Sequence, residues 1–60
     1  MKWNELKKQA LQHGFELSRH GKEHDIYVNH AKGITIQIER HGNAEVKKGL
    51  YFKLKKQIGF

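Results

Sequence analysis

Gly33-Ile34-Thr35-Ile36-Gln37-Ile38-Glu39 alternates isoleucine with a polar residue, a period of two that fits a strand with one buried face. Just upstream, His24-Asp25-Ile26-Tyr27-Val28-Asn29 is a second run rich in β-branched and aromatic residues. The linking Asn29-His30-Ala31-Lys32 is short enough for a hairpin. Further back, Phe15 and Leu17 alternate with Glu16 and Ser18, and Arg19-His20-Gly21-Lys22 then supplies a turn. Three consecutive short strands are therefore expected. Within the second, alternation places His24 with Ile26 and Val28 on the side expected to face the core, and Asp25, Tyr27 and Asn29 on the other.

The flanks of this β region have a helical period. Between residues 2 and 13, Trp3, Leu6 and Ala10 recur at i, i+3 and i+7 with Leu11 beside them, and Gly14 stands where a C-terminal cap belongs. After the aperiodic stretch Arg40 to Val46, expected to be an ordered crossing loop, Gly49 marks the entrance of a last helix. Its expected buried stripe is Leu50, Tyr51, Leu54 and Ile58, with lysines over most of the rest. The order helix, three strands, helix predicts an α+β domain spanning residues 1–60, with a three-stranded antiparallel sheet and two helices on one face.

Sixty residues without a cysteine must be held by one compact core, since disulfides and thiolate zinc clusters are unavailable. No apolar run reaches membrane-spanning length and the opening residues lack a signal-peptide pattern, so the cytoplasm is the expected address. Twelve Lys and Arg against six Asp and Glu give a formal net charge of +6. No acidic residue follows Glu45, whereas Lys47, Lys48, Lys53, Lys55 and Lys56 do. A uniformly cationic C-terminal quarter suits a partner that carries phosphates.

His20-Gly21-Lys22-Glu23-His24 spells the H-x-x-E-H pattern of inverted zincins, but that zinc geometry requires a helix and this stretch joins two strands. The five histidines share no metal-ligand spacing, and neither a metal nor a cofactor is expected. His13 fits the core margin, His30 a solvated turn, and His41 a loop position where it either touches phosphate or is simply exposed. His24 combines the first position of a strand with cationic neighbours and a side chain able to accept and donate a proton near neutrality. Its competing role is structural, on the core side of the sheet. Tyr27 offers a stacking surface for a base or a cover for the sheet, and Phe52 points away from the buried stripe among lysines. No phosphate loop or nucleophile elbow is present, and paired carboxylates for two-metal chemistry are scarce. A nuclease built from these residues would work without Mg²⁺, which favours RNA, whose 2′-hydroxyl is an internal nucleophile.

The run Gly21-Lys22-Glu23-His24-Asp25-Ile26-Tyr27-Val28-Asn29 resembles the signature of the HicA family of toxins, in which a glycine turn leads into His-x-Ile followed by Phe or Tyr. Leu11 to Leu17 resembles the family's helix end and first strand, Ile36 to His41 its third strand with the following Arg-His. Lys47-Lys48-Gly49-Leu50 continuing to Leu54 to Phe60 is similar to its closing helix. The resemblance implies a double-stranded-RNA-binding-domain-like fold. It also implies an mRNA endoribonuclease of a type II toxin–antitoxin system, inhibited by a HicB-type antitoxin. By position, His24 corresponds to the family's essential histidine. Glu23 departs from the small residue, often Ser, that many members carry before it; a carboxylate there either orients the imidazole or repels substrate phosphate.

On this reading His24 carries the catalysis, and Lys22, Arg40, His41, Lys47 and Lys48 are the candidate RNA contacts, His41 doubling as the best candidate for the general acid beside a lysine or water. The expected substrate is single-stranded mRNA. The alternative is a non-catalytic RNA-binding or protein-interaction module of the same fold. A DNA-binding domain is disfavoured by the absence of helix-turn-helix spacing.

Overall fold

The computed structural model describes residues 1–60 and follows the expected order: α1 (Trp3–Gln12), β1 (Glu16–His20), β2 (His24–Asn29), β3 (Ile34–Glu39) and α2 (Lys48–Ile58). The strands form one antiparallel sheet in the order β1-β2-β3, each pairing with its sequence neighbour. β1 extends through His20, two residues into the segment expected to turn. α2 starts at Lys48, one residue before Gly49.

The helices cover one sheet face. Trp3, Leu6 and Ala10 of α1 and Leu54 and Ile58 of α2 form a buried cluster with Phe15, Tyr27, Ile36, Ile38 and Val46. Tyr51 packs against its margin, whereas Leu50 and Leu11, both expected to be buried, are exposed. Phe52 is exposed, as its position on the wheel predicts.

The faces of β2 are the reverse of the expectation. Tyr27 lies opposite Ile36, Asp25 opposite Ile38 and Asn29 opposite Ile34, so these three residues share the helix-covered face with the isoleucines of β3. His24, Ile26 and Val28 lie opposite Glu39, Gln37 and Thr35 on the face no helix covers. The isoleucines of β3 dominate the burial, and the hairpin register then fixes which side of β2 goes with them. Polar residues are tolerated on the inner face because each finds partners. Asn29, 4% exposed, donates from Nδ2 to the His13 carbonyl at 3.0 Å and accepts at Oδ1 from the Lys32 amide at 3.0 Å. The first of these bonds also anchors the turn after α1, where Gly14 takes a left-handed φ of 88° that disfavours a side chain.

A bulge between Leu17 and Arg19 changes the aim of β1. Leu17 pairs with Tyr27 on the inner side, but Arg19 pairs with Ile26, placing it on the open face that carries His24.

α1 begins without a side-chain cap. Its first amides are satisfied by the crossing loop instead: Trp3 donates to the Ala44 carbonyl at 3.1 Å and Asn4 to the Gly42 carbonyl at 3.0 Å. Lys2 pairs with Glu45 in an isolated antiparallel bridge beside these bonds. The segment without periodicity is thus held in place by backbone hydrogen bonds. No helix is long and apolar enough to cross a membrane.

Candidate active site

His24 is the first residue of β2, at the end of the sheet where the β1–β2 turn closes. The turn is shaped by the Gly21 amide donating to the His24 carbonyl at 2.8 Å. A Cβ on Gly21 would stand 2.6 Å from that same carbonyl oxygen, so the close approach requires glycine. The position on the open face removes the main objection to a chemical role. His24 keeps 37% of its side chain exposed, and its Nε2 lies 2.9 Å from Oε1 of Glu39, the residue opposite it on β3.

Two depressions share His24. One, about 360 Å³, runs between the outer edge of β3 and α2; Trp3, Ile36 and Leu54 contribute apolar surface, and Gln37, Lys53 and Gln57 contribute polar groups. The other, about 350 Å³, lies toward the β1–β2 turn and includes Lys22, Glu23 and Gln37. A third, about 420 Å³, shares Trp3, Glu39 and Leu50 with the first and extends it to His41, Glu45 and Lys47. His24 and Glu39 therefore sit in the middle of a track with Lys22 at one end, Lys53 along one wall, and His41 and Lys47 at the other end. A stretch of several nucleotides suits such a surface better than a single small ligand.

The candidate contacts separate into two groups. Lys22, His41 and Lys47 line the track. Arg40 and Lys48 do not. The Arg40 guanidinium is turned back onto the β1–β2 end of the sheet, where Nε donates to Asp25 Oδ1 at 3.0 Å, Nη2 to the Gly21 carbonyl and Nη1 to the Lys22 carbonyl at 3.5 Å. The same carboxylate oxygen takes Nδ1 of His20 at 2.8 Å. The hydrogen bonds from His20 and Arg40 hold the Asp25 carboxyl below the ordinary carboxylate range. Lys48 lies in the first turn of α2, four residues before Phe52 and eight before Lys56, along the exposed side of that helix.

Two residues of the track, Glu39 and Lys53, and Arg19 on the same sheet face do not stand out from the sequence. By alternation Glu39 is only the last residue of a strand, but the hairpin register that puts Asn29 opposite Ile34 also puts His24 opposite Glu39. Lys53 was one lysine among many; it reaches the track because α2 lies along the β3 edge, a tertiary relation that periodicity does not contain. Arg19 comes to the open face only through the bulge. Elsewhere, His30 is an exposed turn residue with Nε2 3.1 Å from Glu16, and His13 bonds the Gln9 carbonyl through Nδ1 at 2.8 Å. No group of three or more His, Asp or Glu side chains converges in a way that would hold a metal ion.

His24, the position that the resemblance singles out, heads the middle strand with Lys22 in one adjoining depression and Lys53 in the other. Residues 3–60 match the family model described as the HicA toxin of bacterial toxin–antitoxin systems. The chain belongs to the HicA toxin family. The match covers both helices and all three strands, so it includes every residue of the track. HicA proteins are the toxins of toxin–antitoxin pairs, which gives this chain a toxin's role and an antitoxin as its partner. No curated protein and no solved structure matches the chain.

Proposed function

We propose that this HicA protein is an endoribonuclease that cleaves single-stranded mRNA with His24 as its general base. The observation that carries the proposal is the placement of a half-buried but solvent-accessible His24 at the meeting point of two depressions, with Lys22 on one side and Lys53 on the other. His24 takes the proton of a ribose 2′-hydroxyl as that oxygen attacks the adjacent phosphorus. The O2′–P bond forms, the P–O5′ bond breaks, and the products are a 2′,3′-cyclic phosphate and a 5′-hydroxyl end. The departing 5′-oxygen is protonated from the far side of the phosphorus, with His41, a lysine or water as the donor. General acid–base help of this kind is worth about 10²- to 10⁴-fold. Lys22, Lys47 and Lys53 position the backbone and offset the charge developing on phosphate, with Arg19 a further cation on the same face.

Access favours an unpaired strand, which bends into the in-line geometry more easily than a duplex. A HicB-type antitoxin with an acidic surface would silence the enzyme by covering the lysines of the track and His24 together, in the cytoplasm where mRNA is met. The runner-up, a binding module without catalysis, keeps the track and gives His24 a structural role.

The test is incubation of the protein and its His24→Ala variant with a defined single-stranded RNA in EDTA, followed by mass analysis of the ends. Cyclic-phosphate ends from the wild type alone support the enzyme. Intact RNA in both reactions, with salt-sensitive binding retained, supports the binding module.

A further inference from the structure

Glu39 is the acidic group nearest the proposed base, and its surroundings offer it other partners. His41 and Lys47 share one depression with it and Lys53 another, yet the carboxylate closes on Nε2 of His24 at 2.9 Å. The pairing is built into the backbone, because His24 and Glu39 are directly opposed across β2 and β3. Cross-strand partners on one sheet face are held close whatever the solvent does around them. Both side chains are about one-third exposed, so neither is sealed away from a substrate.

We propose that Glu39 is a positioning residue for His24, fixing the imidazole so that Nδ1 is the nitrogen presented to RNA. The inference rests on the function proposed above and deepens it. An ionised carboxylate can only accept, so a 2.9 Å contact with Nε2 places the ring proton there and leaves the lone pair of the neutral imidazole on Nδ1. The 2′-hydroxyl proton then passes to Nδ1 as the O2′–P bond forms. The imidazolium created by that transfer faces a carboxylate already in place, which needs no reorganisation during the reaction. Glu39 is not the acid for the leaving group, since acid and base act on opposite sides of the phosphorus and these two groups touch each other.

The experiment joins two readouts. First, ¹⁵N and ¹H spectra of histidine-labelled protein give the tautomer of His24 in the wild type, in Glu39→Gln and in Glu39→Ala, with no need for turnover. The expected wild-type result is the Nε2–H tautomer, giving way to a mixture in Glu39→Ala. Second, single-turnover cleavage at saturating RNA should fall roughly 10- to 10²-fold in Glu39→Ala, part of the 10²- to 10⁴-fold that a general base supplies. RNA affinity should not fall, because the change removes a negative charge from the track, and the cleavage rate of Glu39→Gln, whose carbonyl can still accept from Nε2, should fall in between. An Nδ1–H tautomer in the wild type, or full-speed cleavage by Glu39→Ala, overturns the inference. Absence of cleavage by the wild type overturns the enzymatic function, and the tautomer spectra still decide whether Glu39 sets the ring. If Glu39→Ala does not fold, the wild-type tautomer and the Glu39→Gln rate carry the test.

Discussion

Arg40 is bound to Asp25 through Nε at 3.0 Å, and the same guanidinium reaches the carbonyls of Gly21 and Lys22 in the turn that precedes His24. An arginine so engaged closes the end of the sheet and has most of its N–H donors committed there, although 43% of its side chain stays exposed.

Replacing Arg40 by Ala should therefore lower the melting temperature and speed hydrogen exchange of amides 21–25, while the salt dependence of RNA binding stays near that of the wild type. A drop in the salt slope as large as that produced at Lys22 or Lys53 would instead identify Arg40 as a phosphate contact.

Asp25 links this staple to pH. Its carboxyl titrates below the ordinary value of 3.8 because His20 and Arg40 hydrogen-bond its charged form. A carboxyl depressed by folding binds its proton more readily in the unfolded chain, so its contribution to stability is present above the unfolded value and is lost as pH falls through the folded one. Thermal unfolding of wild type and Asp25→Asn should differ at neutral pH and converge once the pH drops below 3.8 and through the lowered value.

Asn29 makes two hydrogen bonds from an almost fully buried position. Asn29→Ala leaves the His13 carbonyl and the Lys32 amide without partners, at a cost of about 1–3 kcal/mol. At roughly 0.05–0.15 kcal/mol per residue, a chain of this length has only about 3–9 kcal/mol in total. Chemical denaturation should show the loss as a lower midpoint at unchanged m-value.

Lys53 tests the track itself. Lys53→Ala should weaken binding of different single-stranded RNAs by a similar factor and reduce the slope of log K against log salt by about 0.7, the signature of one phosphate contact to a single strand. Lys48→Ala, outside the track, should leave that slope nearly unchanged.

Much of this arrangement is legible from the residues in order. The alternation of Ile34, Ile36 and Ile38 identifies β3, the spacing of Trp3, Leu6 and Ala10 identifies α1, and His24 stands out by its place and neighbours. The inner face of β2 is not legible from that strand alone, because Ile26 and Val28 are more apolar than Asp25, Tyr27 and Asn29. Pairing it with β3 reverses the choice, since four turn residues from 30 to 33 put odd positions opposite even ones and Tyr27 opposite Ile36. Glu39 follows from the same count. The placements of Arg19, Arg40 and Lys53 do not, because they depend on a bulge, a tertiary ion pair and the seat of α2 on the sheet.

The carbonyls of Gly42 and Ala44 complete the first turn of α1, and this ties the order of the crossing loop to that of the helix. Cut out as a peptide, ten residues of α1 would lose these acceptors and be too short to stay helical alone. Helix and loop therefore form and melt together. The wall of the track that carries His41 and Lys47 should consequently keep its shape until the whole molecule unfolds, giving coincident transitions for tryptophan fluorescence at Trp3 and for backbone circular dichroism.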